Sequence, residues 1–382
     1  MNKQNKAKIG SSETTREAFV FNLDQVLPSF TPLNGEEMEK KRIFLEWFIG
    51  FVEGDGSFAL RKFATLKNPK NQRPSLEINQ KQPKALYEIK KALGFGRVIS
   101  VSERKTGRNY YRYSVYKLSH IKQLIALLNG NLLLDKTEKR FANWVTVYNR
   151  LCDQRAELSL QRAVESRTEH YLLQQDLGEK ITLKQSAREL DLNSAWLAGF
   201  TDAEGGFYAS LSANKRNATR FRERLKFYIA QKGEQQLLQK IDALVQAASV
   251  EKLAAKFSPA DLEKTCVCAA SLDAEAGDAK PRYCEKCVHA VLCESSHIGV
   301  RKDEIYRLEL TRRENLEALV DYFDRYPLLT KKRLMFIRWK RLVLRTHAIR
   351  KTALESQKGM RRYKKLYASV GRIREAYNMD QD

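Results

Sequence analysis

The sequence predicts an α+β fold built from two tandem αββαββα repeats. One observation is that short motifs recur along the chain at a nearly constant spacing. Residues 51–58 are similar to residues 200–207, at an offset of 200 − 51 = 149. Residues 78–81 are similar to residues 229–232, at an offset of 229 − 78 = 151. The other observation is that the hydrophobic periodicity changes from helical to strand-like in the same order in both halves.

Each predicted repeat begins with a short helix and continues through two strand pairs separated by a second helix. In the first strand, Phe58 and Leu60 alternate with Ala59 and Arg61, as expected for a half-buried strand. In chain order within the two halves, the predicted elements are helices at 48–56 and 197–205, strand pairs starting at Phe58 and Phe207, helices at 83–93 and 234–245, strand pairs ending at 111–116 and 306–310, and helices from His120 and Glu314.

A third motif match shows that the two halves differ in length. Residues 134–136 are similar to residues 329–331 at an offset of 331 − 136 = 195, so the second half contains about 195 − 151 = 44 extra residues. The predicted domains are an N-terminal extension (1–42), a first repeat (43–150), a charged connector (151–191), a second repeat (192–345) with a Cys-rich insertion at about 250–302, and a basic C-terminal tail (346–382).

The charge of the chain indicates a polyanionic partner. Its 382 residues include 69 Lys and Arg against 46 Asp and Glu, which leaves a formal charge of +23. This excess is far larger than solubility requires, and nucleic acid is the partner that it favours. No apolar run approaches the roughly 20 residues that span a bilayer, and the N-terminus lacks the apolar stretch of a secretory signal. We therefore expect no membrane partner.

The two predicted opening helices carry small residues at matched positions. Gly50 and Gly54 stand four residues apart and share one helix face, and Gly199 and Ala203 repeat the arrangement in the second half. A glycine inside a helix costs about 1 kcal/mol, so its use at matched positions needs a structural reason. We expect these two helices to pack closely against each other, which would bring their last turns together.

An acid ends each of these helices. Asp55 is followed by Gly56 and Glu204 by Gly205, and we expect both glycines to act as C-caps. The C-terminal end of a helix dipole is negative and disfavours a carboxylate, so local stability does not explain the acids. A divalent cation would neutralise them and would also accept free carbonyl oxygens. The alternative is a pair of solvent-facing turns, which the duplication disfavours.

FIGFVEGDG at residues 48–56 and LAGFTDAEG at residues 197–205 resemble the two signature helices of single-chain LAGLIDADG homing endonucleases. The resemblance covers residues 44–345 and implies that the two sheets form a pseudo-two-fold saddle over the DNA major groove. It also implies cleavage of both strands of a long double-stranded DNA target with Mg²⁺ or Mn²⁺. Both sites lie in one chain, which favours a monomer, and the family suggests a mitochondrion or a chloroplast.

The resemblance assigns roles to individual positions of this sequence. It implies that the acids Glu53 and Asp202, which precede the metal-binding acids, are not catalytic. The implied active-site residues are the metal-binding acids Asp55 and Glu204, the metal-facing carbonyls of Gly54 and Ala203, the water-ordering side chains Gln80 and Gln231, and the basic residues Lys136 and Lys331 near the cleaved phosphate.

Polar and basic residues occupy one face of the predicted strands and form a predicted DNA-binding surface. An ordinary solvated sheet edge is the alternative for individual members. Because the two halves differ on this face, we expect an asymmetric target. The predicted DNA-binding residues are Arg61, Ser75, Glu77, Asn79, Tyr208, Ser210, Ser212, Arg216, Arg220, Arg222, Arg224, Lys226 and Tyr228.

The Cys-rich insertion offers enough thiols for a structural Zn²⁺ site. Cys266 and Cys268 form a CxC pair, and Cys284 and Cys287 form a CxxC pair. Structural zinc sites commonly use two similar pairs, and the resemblance does not call for zinc here. A variable hairpin insertion with free thiols is the alternative, and metal analysis of the protein with and without Cys284→Ser would distinguish the two.

Three functions are consistent with these features. The first is a site-specific, metal-dependent DNA endonuclease, and the second is an intron RNA maturase, an RNA-binding splicing cofactor on the same fold. The third is a DNA-binding regulator that has lost cleavage. Because both Asp55 and Glu204 are present, the third function is disfavoured.

Overall fold

The computed structural model describes residues 23, 35–62, 72–103, 107–160, 172–174, 177–185, 189–213, 216, 221–254, 296–355, 361 and 365. These residues form an α+β fold with two repeated units, each containing one four-stranded antiparallel sheet and helices. Among the described residues, every helix is too short or too polar to cross a membrane.

The first repeat contains α1 (Gly35–Asp55), β1 (Gly56–Lys62), β2 (Gln72–Gln80), α2 (Lys84–Leu93), β3 (Arg97–Glu103), β4 (Arg108–Val115), α3 (Leu118–Leu128) and α4 (Asp135–Ser159). The second repeat contains α5 (Trp196–Glu204), β5 (Gly205–Ala213), β6 (Phe221–Lys232), α6 (Gln235–Ala254), β7 (Ser296–Arg301), a one-turn 3₁₀ helix (Lys302–Glu304), β8 (Ile305–Leu310), α7 (Arg313–Arg325) and α8 (Lys332–Glu355).

The two sheets have the same topology, which confirms the predicted tandem fold. Their strand orders are β1-β2-β4-β3 and β5-β6-β8-β7. The registers also correspond, because Gly56 pairs with Ile78 as Gly205 pairs with Ile229. The structure adds a second helix, α4 or α8, at the end of each repeat, and α1 begins 48 − 35 = 13 residues before the predicted helix.

The closing helices α4 and α8 cover the inner face of their sheets with large aromatic side chains. The ring of Trp144 in α4 contacts Phe58 edge-on at 5.3 Å, and Trp339 in α8 lies 5.1 Å from Phe207. Trp144, Trp339 and Phe207 are almost completely buried, and Phe58 is partly buried. Burial of such rings dominates the energetics of a core. One face of each sheet therefore faces hydrophobic core, while the opposite face carries the polar residues.

The helices α1 and α5 pack backbone to backbone at the centre of the molecule, as their small residues predict. A Cβ atom on Gly50 would lie 2.1 Å from the carbonyl oxygen of Trp196. A Cβ atom on Gly199 would lie 1.8 Å from the carbonyl oxygen of Trp47. Both distances are far below van der Waals contact, so only glycine permits this approach. The contact brings the C-terminal ends of the two helices together.

Candidate active site

Two buried acids brace the central helices against each other in a reciprocal way. The indole Nε1 of Trp47 in α1 donates to Asp202 in α5 at 2.9 Å, and the Nε1 of Trp196 in α5 donates to Glu53 in α1 at 2.5 Å. Glu53 and Asp202 are only 4% and 3% exposed. Their carboxylates are therefore occupied by structural hydrogen bonds, and the noncatalytic role that the resemblance implies for them stays a prediction.

The same acids also hold the loops that precede α4 and α8. Glu53 accepts hydrogen bonds from the backbone N–H groups of Leu133 and Leu134 at 2.7 and 2.8 Å. Asp202 accepts from the backbone N–H groups of Leu329 and Thr330 at 2.7 and 3.3 Å. The hydroxyl of Thr330 also donates to Asp202. Each acid thus links one central helix to its partner helix and to the start of the closing helix.

Replacing Asp202 with Ala is expected to destabilise the protein by about 3–5 kcal/mol, because it leaves several buried donors without an acceptor. Asp202→Asn is expected to be destabilising as well, since its amide N–H groups would face donors. Urea denaturation followed by circular dichroism measures the change. Asp153→Ala is the control, because Asp153 is 47% exposed and forms an ion pair with Lys180, itself 60% exposed. The control is expected to cost less than about 1 kcal/mol, and equal stability of Asp202→Ala and wild type would refute the bracing role.

Asp55 lies at the end of α1 in a cavity of about 320 Å³ that opens to solvent. The amide Nε2 of Gln80, the last residue of β2, donates to its carboxylate at 2.6 Å. Burial raises the pKa of Asp55, and the nearby ammonium of Lys332 and the bond from Gln80 oppose this rise. The residues Ala203 and Lys332 line the same cavity, so parts of both repeats meet here.

Glu204, at the end of α5, has a strongly perturbed carboxyl group. Its pKa rises to about 7, first because the group is buried and second because the Asp55 carboxylate repels its negative charge. The ammonium groups of Lys332 and Lys136 and a hydrogen bond from Gln231 lower the pKa in part. Two carboxylates that repel each other inside a protein form a place where a cation is strongly favoured.

The residues present fit a divalent cation. Hard cations prefer oxygen ligands, and the site contains the carboxylates of Asp55 and Glu204 beside the carbonyl groups of Gly54 and Ala203, at helix ends where such carbonyls lack intrahelical partners. The ammonium of Lys332 already donates to the carbonyl of Ala203 at 2.9 Å, which shows that this oxygen faces a positive charge. Among the described residues no group of three or more His, Cys, Asp and Glu side chains could hold a metal ion. Carbonyl oxygens would therefore have to complete the ligand set.

The metal-free protein is expected to lose stability as the pH rises from about 4.5 to about 7. The pKa of Glu204 is about 7 in the folded protein against an ordinary 4.5, so the folded state binds this proton more tightly than the unfolded state. The stabilisation is complete below the unfolded pKa and disappears as the pH rises through the folded pKa. At about 1.4 kcal/mol per pKa unit, the loss is at most about 3.5 kcal/mol.

Thermal melts in EDTA across this pH range test the expectation. Glu204→Gln removes the titrating group and is expected to flatten the dependence of the melting temperature on pH between about 4.5 and 7. The exposed Glu36, which forms a solvent-facing ion pair with Lys40, provides the control variant Glu36→Gln. A pH dependence that is the same in wild type and Glu204→Gln would contradict the assignment.

The structure identifies Lys332 as a site residue that the sequence analysis did not select. Its ammonium donates to the carbonyl oxygens of Thr201 and Ala203 at 3.1 and 2.9 Å, and its burial lowers its pKa. The charges of Asp202, Asp55 and Glu204 raise that pKa in part. An enclosed ammonium at the C-terminal end of α5 also interacts favourably with the helix dipole.

The positions of the lysines depend on a one-residue shift between the repeats. Glu53 accepts a hydrogen bond from the N–H of Leu134, and Asp202 accepts one from the N–H of Thr330. The two loops therefore correspond at an offset of 330 − 134 = 196. At this offset Lys136 corresponds to Lys332. The sequence match used 195, which paired Lys136 with Lys331. Lys331 also lines the cavity, and its pKa is lowered by burial and by the charges of Lys81 and Lys332.

The glycines that follow the two acids end the helices without the left-handed conformation of a common C-cap. Gly205 has a φ of −89° and a ψ of 171°, and Gly56 is absent from the described glycines with positive φ. Their role is steric. A Cβ atom on Gly56 would lie 2.4 Å from the carbonyl oxygen of Val52, and one on Gly205 would lie 2.7 Å from Cγ2 of Thr201. Both glycines permit an immediate change from helix to strand.

The described residues of the predicted DNA-binding surface lie on the two sheets or next to them, with differing exposure. Ser75 is buried, at 1% exposed, and the carboxylate of Glu77 pairs with two arginines of its own sheet, Arg61 and Arg112. The exposed members are Arg61, Asn79, Tyr208, Ser212, Arg216, Arg222 and Arg224. The half-buried members are Ser210, Lys226 and Tyr228, with Glu77 among them.

Some predicted residues lie outside the described part of the chain. These are Arg220 and the candidate zinc ligands Cys266, Cys268, Cys284 and Cys287. Two arginines on the open faces of the sheets, Arg112 in β4 and Arg307 in β8, were not among the residues predicted from the sequence. Alternation along β4 and β8 could have indicated them, because their neighbours Tyr113 and Leu308 are buried.

The chain matches a known family and two curated relatives. The LAGLIDADG endonuclease family matches at residues 48–148, 197–258 and 288–343. "Probable intron-encoded endonuclease 4" of Neurospora crassa is 33% identical over 225 residues, which cover 58% of this chain and 31% of that protein. "Probable intron-encoded endonuclease Cox1-I1b" of Schizosaccharomyces pombe is 30% identical over 172 residues, covering 43% of this chain and 41% of the relative. The matches thus span less than half the length of either relative.

Solved structures share the fold. The crystal structure of the I-LtrWI LAGLIDADG homing endonuclease bound to target DNA superposes with a TM-score of 0.50 at 16% identity, over 85% of this chain and 97% of that one. At this identity the likeness establishes the architecture alone. Since the family match covers more than half of the chain and includes both acid-ended helices, the chain belongs to the LAGLIDADG endonuclease family.

Proposed function

We propose that this protein is a site-specific homing endonuclease that hydrolyses both strands of a long, asymmetric double-stranded DNA target with a divalent metal ion. The observation that carries the proposal is the meeting of Asp55 and Glu204 at the ends of two reciprocally braced helices. Each acid comes from a different repeat, and each has a glutamine of its own sheet beside it. Two strands in a duplex require two matched sites, and one chain supplies both.

The chain's own residues position the reaction. Asp55 and Glu204, with the carbonyls of Gly54 and Ala203, would hold Mg²⁺ or Mn²⁺. The metal, when bound, activates water and neutralises the charge that develops on the phosphate and on the leaving oxygen. Gln80 orients the Asp55 carboxylate through the bond at 2.6 Å, and Gln231 does the same for Glu204.

Basic residues complete the proposed phosphate site. The ammonium groups of Lys332 and Lys136 act electrostatically on Glu204, so both are close enough to the acid pair to stabilise negative charge on a phosphate bound there. Lys331, on the cavity wall, adds a third positive charge. Positive groups held in a low-dielectric site stabilise the negative charge that develops on the phosphate in the transition state better than the same groups in water.

The charge of the chain supports double-stranded DNA as the partner. The net charge is +23, and the sheet faces opposite the helices carry arginine, lysine and tyrosine side chains. A twisted pair of sheets joined by central helices presents these groups along an extended track. We further propose that the protein acts as a monomer, since both acids lie in one chain. We also propose that it originates from an intron of an organelle genome, which the names of the intron-encoded relatives support.

Incubation of the 382-residue protein with a randomised duplex DNA library tests this proposal. With Mg²⁺ we expect double-strand breaks at one recurring sequence, with none in EDTA. Sequencing of the cleaved ends identifies the target and shows whether it is asymmetric. Intron RNA binding is measured in parallel. Tight binding of intron RNA without any DNA cleavage would replace the endonuclease proposal by the maturase alternative.

A further inference from the structure

Two arginines occupy equivalent positions on the open faces of the two sheets. Arg112 in β4 pairs with Asn79 of β2, and Arg307 in β8 pairs with Ala230 of β6. Their side chains are 24% and 20% exposed, so each side chain is partly accessible from the open face. Because the two repeats are related by the reciprocal contacts of their central helices, these arginines form a matched pair across the molecule.

Both arginines lie beside the acid site. Asn79, the strand partner of Arg112, immediately precedes Gln80, whose amide holds Asp55. Ala230, the partner of Arg307, immediately precedes Gln231, whose side chain bonds to Glu204. If the acid site cleaves DNA, groups at these positions on the open face would adjoin the cut bonds and would face the inner base pairs of each half of the target.

Three neighbours hold the guanidinium of Arg112 in one orientation. Its Nε donates to Asn79 at 2.9 Å, its Nη2 donates to the hydroxyl of Tyr110 at 2.9 Å, and its Nη1 lies 3.3 Å from Glu77. A guanidinium has about five N–H donors, so both Nη atoms keep a further N–H for a ligand. A side chain that is already ordered loses little entropy when it binds.

Arg307 is held by different neighbours. Its guanidinium lies over the ring of Tyr228 at 4.0 Å from the centroid, and its Nε lies 2.9 Å from Glu309 in an ion pair without hydrogen-bond geometry. Glu309 also contacts Lys226. Stacking fixes the plane of the guanidinium while it leaves the Nη edge open for two parallel hydrogen bonds.

Glu77 forms ion pairs with arginines of its own sheet, so we do not expect it to contact DNA. Its carboxylate pairs with Arg61 and with Arg112, and its side chain is only 12% exposed. A free carboxylate on this face would repel phosphates, whereas two guanidinium groups neutralise it. Glu77 therefore positions Arg112, as Tyr228 positions Arg307.

We propose that Arg112 and Arg307 each read a guanine, at matched positions in the two half-sites next to the cleaved bonds, and that Glu77 and Tyr228 are positioning residues. Arginine donating to O6 and N7 of guanine is the commonest specific contact in the major groove. The inference rests on the proposed DNA-binding function. It predicts one symmetric pair of guanines within an otherwise asymmetric target.

Selection of a randomised duplex library by binding in EDTA tests the proposal independently of cleavage. We expect Arg112→Ala to reduce the preference for guanine about 10- to 100-fold at one position of one half-site. Arg307→Ala is expected to do the same at the mirror position of the other half-site. Arg140→Ala removes the same charge from an exposed position on α4 and is expected to leave every base preference unchanged.

The dependence of affinity on salt distinguishes base reading from phosphate contact. If either arginine contacts phosphate only, its Ala variant weakens binding to all sequences equally and lowers the salt slope by about 1, which would overturn the proposal. Glu77→Gln, with Arg112 intact, is expected to relax the same position as Arg112→Ala without a change in melting temperature. A wild-type protein that selects guanines but cuts no DNA would refute the endonuclease while it supports this inference.

Discussion

Replacing Asp55 with Asn is expected to abolish double-strand cleavage while folding and DNA binding persist. The change removes a charged metal ligand but preserves the shape of the side chain and its contact with Gln80. Loss of transition-state charge stabilisation at such a site costs at least about 100-fold in rate. Because burial raises the pKa of Asp55, the neutral amide is also expected to stabilise the metal-free protein slightly.

Glu204→Gln is the matched variant in the second repeat and is expected to have the same effect on double-strand cleavage. Supercoiled plasmid carrying the target separates the outcomes, because uncut, nicked and linear forms migrate differently. Linear product is expected to disappear in both variants. If only one of the two variants still produces nicked plasmid, the acid replaced in that variant is required for cleavage of one strand only.

Asp324→Asn is the control for these variants, since Asp324 is 44% exposed and pairs with Lys340 on the surface. It is expected to cleave at the wild-type rate. Gel-shift assays in EDTA confirm that each variant binds the target. If Asp55→Asn produced linear DNA at the wild-type rate, Asp55 would have no catalytic role and the proposed site would be wrong.

The sequence predicted those parts of the site that depend on one helix and its repeat. Asp55, Glu204, Gly50 and Gly199 follow from helical spacing and from duplication, and both are visible in a single chain. The sequence could not predict that Trp47 would bond to Asp202, because this contact joins residues 155 positions apart and depends on how the two helices pack.

The missed residues depend on register. The position of Lys332 depends on the bonds that Asp202 accepts from backbone N–H groups of the preceding loop. No sequence pattern shows that this loop is shifted by one residue relative to the loop of the first repeat. Alternation along β4 and β8 could have placed Arg112 and Arg307 on the open faces, but their positions next to Gln80 and Gln231 follow only from the pairing of these strands with β2 and β6. A strand contributes alternate residues to opposite faces, so an error of one residue moves a base-reading side chain into the core.

A bulkier residue at position 199 is expected to cause a large loss of stability. The Cβ of Gly199→Ala would lie 1.8 Å from the carbonyl oxygen of Trp47 and 2.8 Å from the backbone nitrogen of Phe51. The obstacle is the backbone of α1, which cannot move without separating the central helices. We expect Gly199→Ala to cost more than about 3 kcal/mol and Gly199→Val to prevent folding.

A graded series of glycine variants separates this clash from a general effect of helix propensity. In Gly54→Ala the new methyl group would meet the side chain of Ala203 at 2.3 Å, a contact that a small backbone movement can relieve, so an intermediate loss is expected. Gly35→Ala meets nothing within 4 Å and is expected to be neutral or slightly stabilising, since alanine favours helix. Urea denaturation gives the order. If Gly199→Ala were as stable as Gly35→Ala, the central helices could not be packed backbone to backbone, and the close approach of Asp55 and Glu204 would lose its structural cause.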